Sequence, residues 1–397
     1  MSRYFGTVAR GLRAPIIRSG DDLARIAADT LIEAVTAEQI TLRDNDIFTI
    51  TESVVARAQG NYVSVDDVAA DIRDKFPGGE AGVIFPILSR NRFAIVFSGV
   101  TRGLNKVWLM LSYPADEVGN HLISIDDVDA AGIDPCRDVL SEARYRELFG
   151  YRTHTFTAID YVEYYKQIAA ANGCEIEIVF ANDARRILQF TPHVLCADIH
   201  SRARSKRLLA AAGAKSVYAL DDVMRAPRGG SGYNADYGLL GSNKSDEQTL
   251  KLFPRDCAEF AERLQKLIYE KSGVTLQVMV YGDGAFKDPV GKIWELADPV
   301  VSPGYTPGLE GQPNELKLKY LADNKFAGLR GEELRQAIKR EIEHKDADLT
   351  GKMETQGTTP RRLTDLLGSL SDLISGSGDK GTPMILIQGY FDNYADE

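Results

Sequence analysis

Histidine and cysteine are scarce in this chain, five and four among 397 residues. The cysteines, Cys136, Cys174, Cys196 and Cys257, lie far apart and form no Cys-x-x-Cys pair. That argues against a disulfide framework or a cysteine-rich zinc site and fits reduced thiols in a cytoplasmic protein. The histidines are scattered too, so a His-rich transition-metal centre is not expected. No apolar run approaches the length of a membrane span, and residues 1–10 lack the apolar core of a signal peptide. Basic charge is also in short supply. With 47 Lys and Arg against 57 Asp and Glu, the net charge is −10, which excludes a broad nucleic-acid-binding surface but leaves room for a local phosphate pocket. What remains is the composition of a soluble globular protein, long enough for two or three domains.

The pattern of elements is mixed α/β. In residues 1–125, Asp21 to Ala34 has helical spacing, while Asp46 to Thr51, Phe93 to Ser98 and Val107 to Tyr113 read as strands. Residues 126–230 alternate strand and helix: Glu175 to Phe180, Ala184 to Phe190, Val194 to Ile199, Arg202 to Ala212, Ser216 to Leu220. This β-α-β-α-β order predicts a small parallel-sheet module inserted into the chain. Arg225 to Tyr233, rich in Gly and Pro, is its expected exit linker. Residues 231–397 carry a helix from Cys257 to Tyr269, a strand from Val274 to Val280, helices at 331–342 and 362–374, and a closing strand, Met384 to Gln388. That last strand is strongly apolar and needs burial, which a homodimer would supply; a central place in the chain's own sheet is the alternative.

Several segments have the residue types for phosphate or metal chemistry. Val274 to Val280 runs into Tyr281-Gly-Asp-Gly, which holds the Asp283 carboxylate at a strand tip with little steric cover. Lys287, Asp288, Lys292, Glu295 and Asp298 follow closely. Hard cations such as Mg²⁺ are held by one or two carboxylates plus substrate phosphates; the competing reading is a turn and a charged loop. Gly376-Ser-Gly-Asp-Lys-Gly-Thr-Pro matches the letters of a dinucleotide fingerprint but joins a helix to a strand, the wrong order for that fold. Its main-chain N–H groups and Lys380 still suit phosphate, or the loop is a simple connection. Glu52, Ser53 and Arg57 follow a strand, where a short helix would point Ser53 and Arg57 the same way. Ser242, Asn243 and Lys244 sit in a polar loop expected to precede a helix. His200, Arg202 and Arg204 begin a helix after a parallel strand, an anion pocket or a solvated basic face. Asp116 and Glu117 lie in a turn-like stretch that has metal-ligand chemistry to offer.

Taken in order, five segments resemble one family: Gly11 to Asp22, Asp46 to Gly60, Gly238 to Pro254, Val278 to Lys287 and Asp365 to Gly389. It is the γ-glutamyl ligase family that adds L-glutamate to the precursor of the deazaflavin coenzyme F-420. The stretches outside the resemblance, chiefly residues 126–230 and 300–350, look like insertion in a long bacterial branch. The resemblance implies a GTP- or ATP-dependent ligase using Mg²⁺ or Mn²⁺ and working as a homodimer. The nucleotide's γ-phosphate would pass to an acceptor carboxylate, and the amine of glutamate would then displace it. By position, Ala14, Pro15, Ile16 and Ile17 would flank the nucleotide. Glu52, Ser53 and Arg57 fall where the family has Ser, Thr and Lys, and Asn243 matches a nucleotide-binding Asn. Asp283 matches a metal-binding Asp. The loop carrying Ser375, Gly376, Gly378, Lys380, Gly381 and Thr382 would wrap the nucleotide. Asp283, Arg57 and Lys287 are the expected catalytic residues.

The chain departs from the family pattern in three places. Leu240 stands where the family has a second metal-binding Asp, with Asp236, Asp116 and Glu117 the candidate replacements. Gly284 replaces a Thr, and Glu52 a Ser. Two other readings therefore stand beside the ligase: a metal-dependent phosphotransferase or phosphatase on a small metabolite, and a non-catalytic nucleotide-binding regulator. The acceptor is either a deazaflavin precursor or another carboxylate such as a folate.

Overall fold

The computed structural model describes residues 5–155, 157–283, 300–355, 361–376 and 378–396, with the backbone of 286–287 and 294–295. In chain order the strands are β1 (Val8–Leu12), β2 (Ile47–Thr51), β3 (Tyr62–Ser64), β4 (Glu80–Ile84), β5 (Lys106–Leu111), β6 (Leu140–Ser141), β7 (Glu175–Phe180) and β8 (His193–Cys196). Then follow β9 (Ser216–Ala219), β10 (Asn243–Lys244), β11 (Thr249–Lys251), β12 (Gln277–Tyr281), β13 (Phe286–Lys287), β14 (Trp294–Glu295), β15 (Gly304–Tyr305) and β16 (Met384–Gln388).

Two larger sheets organise the chain. The first is mixed, in the order β1-β16-β2-β12-β15. Its central strands β16, β2 and β12 are covered on both faces, and their alternate residues divide between two cores. Phe48, Ile50, Val278, Val280, Met384 and Leu386 pack with helices Leu23–Ala37 and Cys257–Ser272. Ile47, Met279, Tyr281, Ile385 and Ile387 pack with Leu367 of helix Leu363–Ile374. A strand apolar on both faces reads as an unbroken run, which is why Met384 to Ile387 shows no alternation. β16 lies between β1 and β2, so its burial is met inside the subunit and gives no argument for a dimer.

The second sheet runs β6-β7-β5-β4-β8-β9. All its pairings are parallel except β6 with β7. Its first strand lies centrally and the chain winds outward on one side, then the other, the doubly wound arrangement. It takes β4 and β5 from the first 125 residues, so this parallel unit begins well before the expected boundary at 126. One expected strand is a helix: Phe93 to Ser98 opens helix Phe93–Gly103, packed on helix Val65–Lys75. Phe93 to Phe97 are all buried, and a short run that is apolar on every side has no period to reveal its type. The Asn243 loop also differs from expectation. It pairs with β11, which in turn pairs with β3, in a three-stranded sheet rather than leading into a helix.

Candidate functional site

Register places four chain segments at one edge of the mixed sheet. β2 and β12 are parallel with Tyr281 opposite Thr51, so Glu52 and Asp283 leave neighbouring strands side by side. β16 is antiparallel to β2 with Met384 opposite Ile50, which brings Pro383 and the glycine loop to the same edge. Leu12 opposes Met384, and the segment 13–17 departs there too. The three-stranded sheet adds a wall: Asn243, Lys251 and Tyr62 are aligned across it.

Between them is a cleft of about 440 Å³ lined by Glu52, Ser53, Arg57, Asn243, Asp283 and Ser375, among others. Thus seven of the residues singled out in the sequence, Lys244 being the seventh, share one cavity. It also contains residues that sequence reasoning missed: Tyr62, Arg92, Ser245, Lys251 and Asp372. Lys251 is buried and donates to Ser53 Oγ at 2.5 Å and Glu52 Oε1 at 3.4 Å. Arg92 Nη2 meets Asp283 Oδ2 at 2.5 Å. The main-chain N–H of Lys244 donates to Asn91 O at 2.8 Å, tying the three-stranded sheet to the loop that presents Arg92.

The glycine loop closes on itself beside the cleft. Gly376 and Thr382 exchange main-chain hydrogen bonds of 3.3 and 2.9 Å, and Gly381 N–H donates to Gly378 O. Those three N–H groups are engaged within the loop, while Gly378 and Lys380 are exposed. Ala14 N–H donates to Gly381 O at 3.1 Å, so residues 13–17 do flank the loop. Pro15 and Ile16 are exposed and Ile17 is buried in the core. Lys287 lies on β13, paired with Trp294; its side chain, like Asp288, Lys292, Asp298 and Gly284, lies outside the described residues.

Three of the four metal-ligand candidates, Asp116, Glu117 and Asp236, lie elsewhere. Asp116 is buried and accepts from the N–H groups of Leu88, Val118 and Asn120 and from Asn120 Nδ2. Burial pushes its carboxyl above the usual range, against those hydrogen bonds. Asp236 is exposed on a separate hollow with Tyr233, Arg255 and Asp256. Leu240 is buried. The basic start of helix Arg202–Ala211 is also spoken for. The N–H groups of Ile199, His200 and Ser201 hold Glu117, and Arg202 pairs with Asp221 at 2.7 Å. Arg204 is exposed.

Four cations and three carboxylates converging from distant segments define a cleft suited to phosphate held with a divalent cation. The chain belongs to the F420-0:gamma-glutamyl ligase family, whose model matches residues 11–389 and so spans the parallel unit as well. The family is one of γ-glutamyl ligases of coenzyme F420 biosynthesis, which makes this chain a ligase. A search of curated proteins finds no match. No helix among the described residues is long and apolar enough to cross a membrane.

Proposed function

We propose that the chain is a nucleotide- and divalent-cation-dependent ligase that joins L-glutamate to a carboxylate of a small acceptor through an acyl phosphate. One observation carries this reading: Glu52, Ser53, Arg57, Asn243, Asp283 and Ser375, drawn from four separate segments, line the same cleft. Arg57, Arg92, Lys244 and Lys251 are the phosphate-binding cations. Ser53, Asn243 and Tyr62 offer the hydroxyl and amide groups that fix orientation. Lys287 is proposed to join them from the segment after Asp283.

The cation's fit rests on a stand-in: Asp283 Oδ2 already holds one positive charge, the Arg92 guanidinium. A cation at Asp283 would be held by one or two carboxylates and completed by phosphate oxygens. When bound, Mg²⁺ or Mn²⁺ would neutralise charge on the transferring phosphoryl group.

In the proposed reaction an acceptor carboxylate oxygen attacks the γ-phosphorus of GTP or ATP, and the bond to the bridging oxygen breaks. The nucleoside diphosphate leaves. The amine of L-glutamate then attacks the acyl carbon, an amide forms, phosphate departs and the amine gives up a proton. Arg57, Lys244 and Lys251 hold the phosphate oxygens in line throughout, which is most of what such a transfer needs from a protein. We further propose a deazaflavin precursor as acceptor, with a folate as the second candidate, and a cytoplasmic homodimer. Light scattering giving a mass near 43.7 kDa would contradict the dimer.

The test is phosphate release with GTP or ATP, L-glutamate and each acceptor. Release that requires both glutamate and acceptor is expected. Release indifferent to glutamate would indicate a phosphatase, and nucleotide binding without turnover a regulator.

A further inference from the structure

One cation in the cleft comes from the parallel unit. Arg92 ends the loop after β4 and directly precedes helix Phe93–Gly103. Its side chain is 15% exposed, against 43% for Asp283. The arginine is thus the more enclosed of the two, and the more exposed carboxylate lines the cleft. Ile87, Phe93, Val96, Ile199 and Leu240 line an apolar slot that Arg92 shares. Such a slot holds the methylene stem while the charged head reaches out. Arg92 N–H also donates to Ser89 Oγ at 2.9 Å, which fixes the base of the side chain.

We propose that Arg92 is a placeholder cation. It neutralises Asp283 until a divalent cation arrives with nucleotide phosphates, and it then turns to the phosphate oxygens. This rests on the proposed role of Asp283 as the metal-binding carboxylate. A guanidinium and a divalent cation beside one carboxylate repel each other, so bare metal is opposed. A triphosphate supplies enough negative charge for both, and a planar guanidinium fork suits phosphate oxygens as well as it suits a carboxylate. Metal and nucleotide therefore bind with positive coupling, and the coupling is reciprocal. The exchange makes and breaks no covalent bond. It gives the parallel unit a direct part in the cleft, since that unit provides the side chain that senses whether phosphate is present.

The measurement is Mn²⁺ binding to the full chain by electron paramagnetic resonance, first with metal alone and then with GTP or ATP. Arg92→Gln is expected to tighten binding of Mn²⁺ alone by about tenfold and to shrink the gain from nucleotide by a similar factor. Arg92→Lys, which keeps the charge but loses the fork, should leave Mn²⁺ alone close to the parent and lower nucleotide affinity. Unchanged Mn²⁺ affinity and unchanged coupling in Arg92→Gln would make the residue a latch between sheets and overturn the proposal. Should Arg92→Gln fail to fold, Arg92→Lys decides, because parent-like nucleotide affinity in it also overturns the idea. Asp283→Asn separates the two levels of argument. If it binds Mn²⁺ as the parent does, the metal role of Asp283 fails, whatever Arg92 does.

Discussion

The two large sheets treat the acids at their edges in opposite ways. At the carboxyl edge of the parallel sheet, Asp116 and Glu117 are turned onto main-chain N–H groups, and Asp198 accepts from the hydroxyls of Ser201 and Ser205. At the edge of the mixed sheet, Asp283 faces a cleft and pairs with Arg92, a side chain from another part of the fold. An open parallel sheet ordinarily binds its ligand where the strand order reverses. Here that edge is stitched together by the chain's own carboxylates, while the neighbouring mixed sheet presents its charges to the cleft. Topology identifies edges where a ligand can bind; side-chain hydrogen bonds decide which of them is available.

This contrast can be broken experimentally. The largest effect is expected at Asp283. Asp283→Asn should cut ligase turnover by more than about a hundredfold by removing charge compensation for the phosphoryl group, with little change in melting temperature. Steady-state phosphate release alongside thermal unfolding checks both halves, and near-parent turnover would end the assignment. Asp116→Ala should do the reverse. It strands buried donors, so a loss of stability of about 3 kcal/mol is expected in denaturant titration, with Mn²⁺ affinity untouched. Lys251→Met should weaken nucleotide binding by about tenfold, through one lost charge-assisted contact, as read by calorimetry. The smallest effect is expected at Arg202. Its pair with Asp221 is about a quarter exposed on each side, so Arg202→Gln should cost under about 1 kcal/mol and leave acceptor kinetics unchanged. A clear change in acceptor KM would return that helix to consideration as a binding element.

Much of the mixed sheet was legible from sequence because β2, β12 and β16 are apolar runs bounded by turn residues. Asp283 stood out because glycines flank it at a strand end. The parallel alternation was legible from Glu175 onward. Of its first two strands, the run from Val107 was read as one, but Glu80 to Ile84 was not, while the wholly buried Phe93 to Phe97 resembled a strand. Arg92 and Lys251 were not legible at all. Arg92 lies in none of the segments that carry the resemblance, and Lys251 lies in one without a marked role there. Each reaches the cleft only because a loop after β4 and a short strand opposite Tyr62 are folded against the mixed sheet. Asp116 illustrates the converse error, since an acid beside Gly and Asn has a ligand's chemistry, but its lone pairs are committed to neighbouring N–H groups.

The central position of β16 also bears on how the molecule is made. Every strand of the parallel sheet lies within residues 80–219, so that sheet can form while synthesis is still under way. The mixed sheet cannot, because Val8 pairs with Gln388. Pairings so distant along the chain close slowly and late. Ribosome-bound chains halted before residue 384 should therefore carry a folded parallel unit beside an unfinished cleft, with β1 waiting for its neighbour and the ligase chemistry still to be assembled.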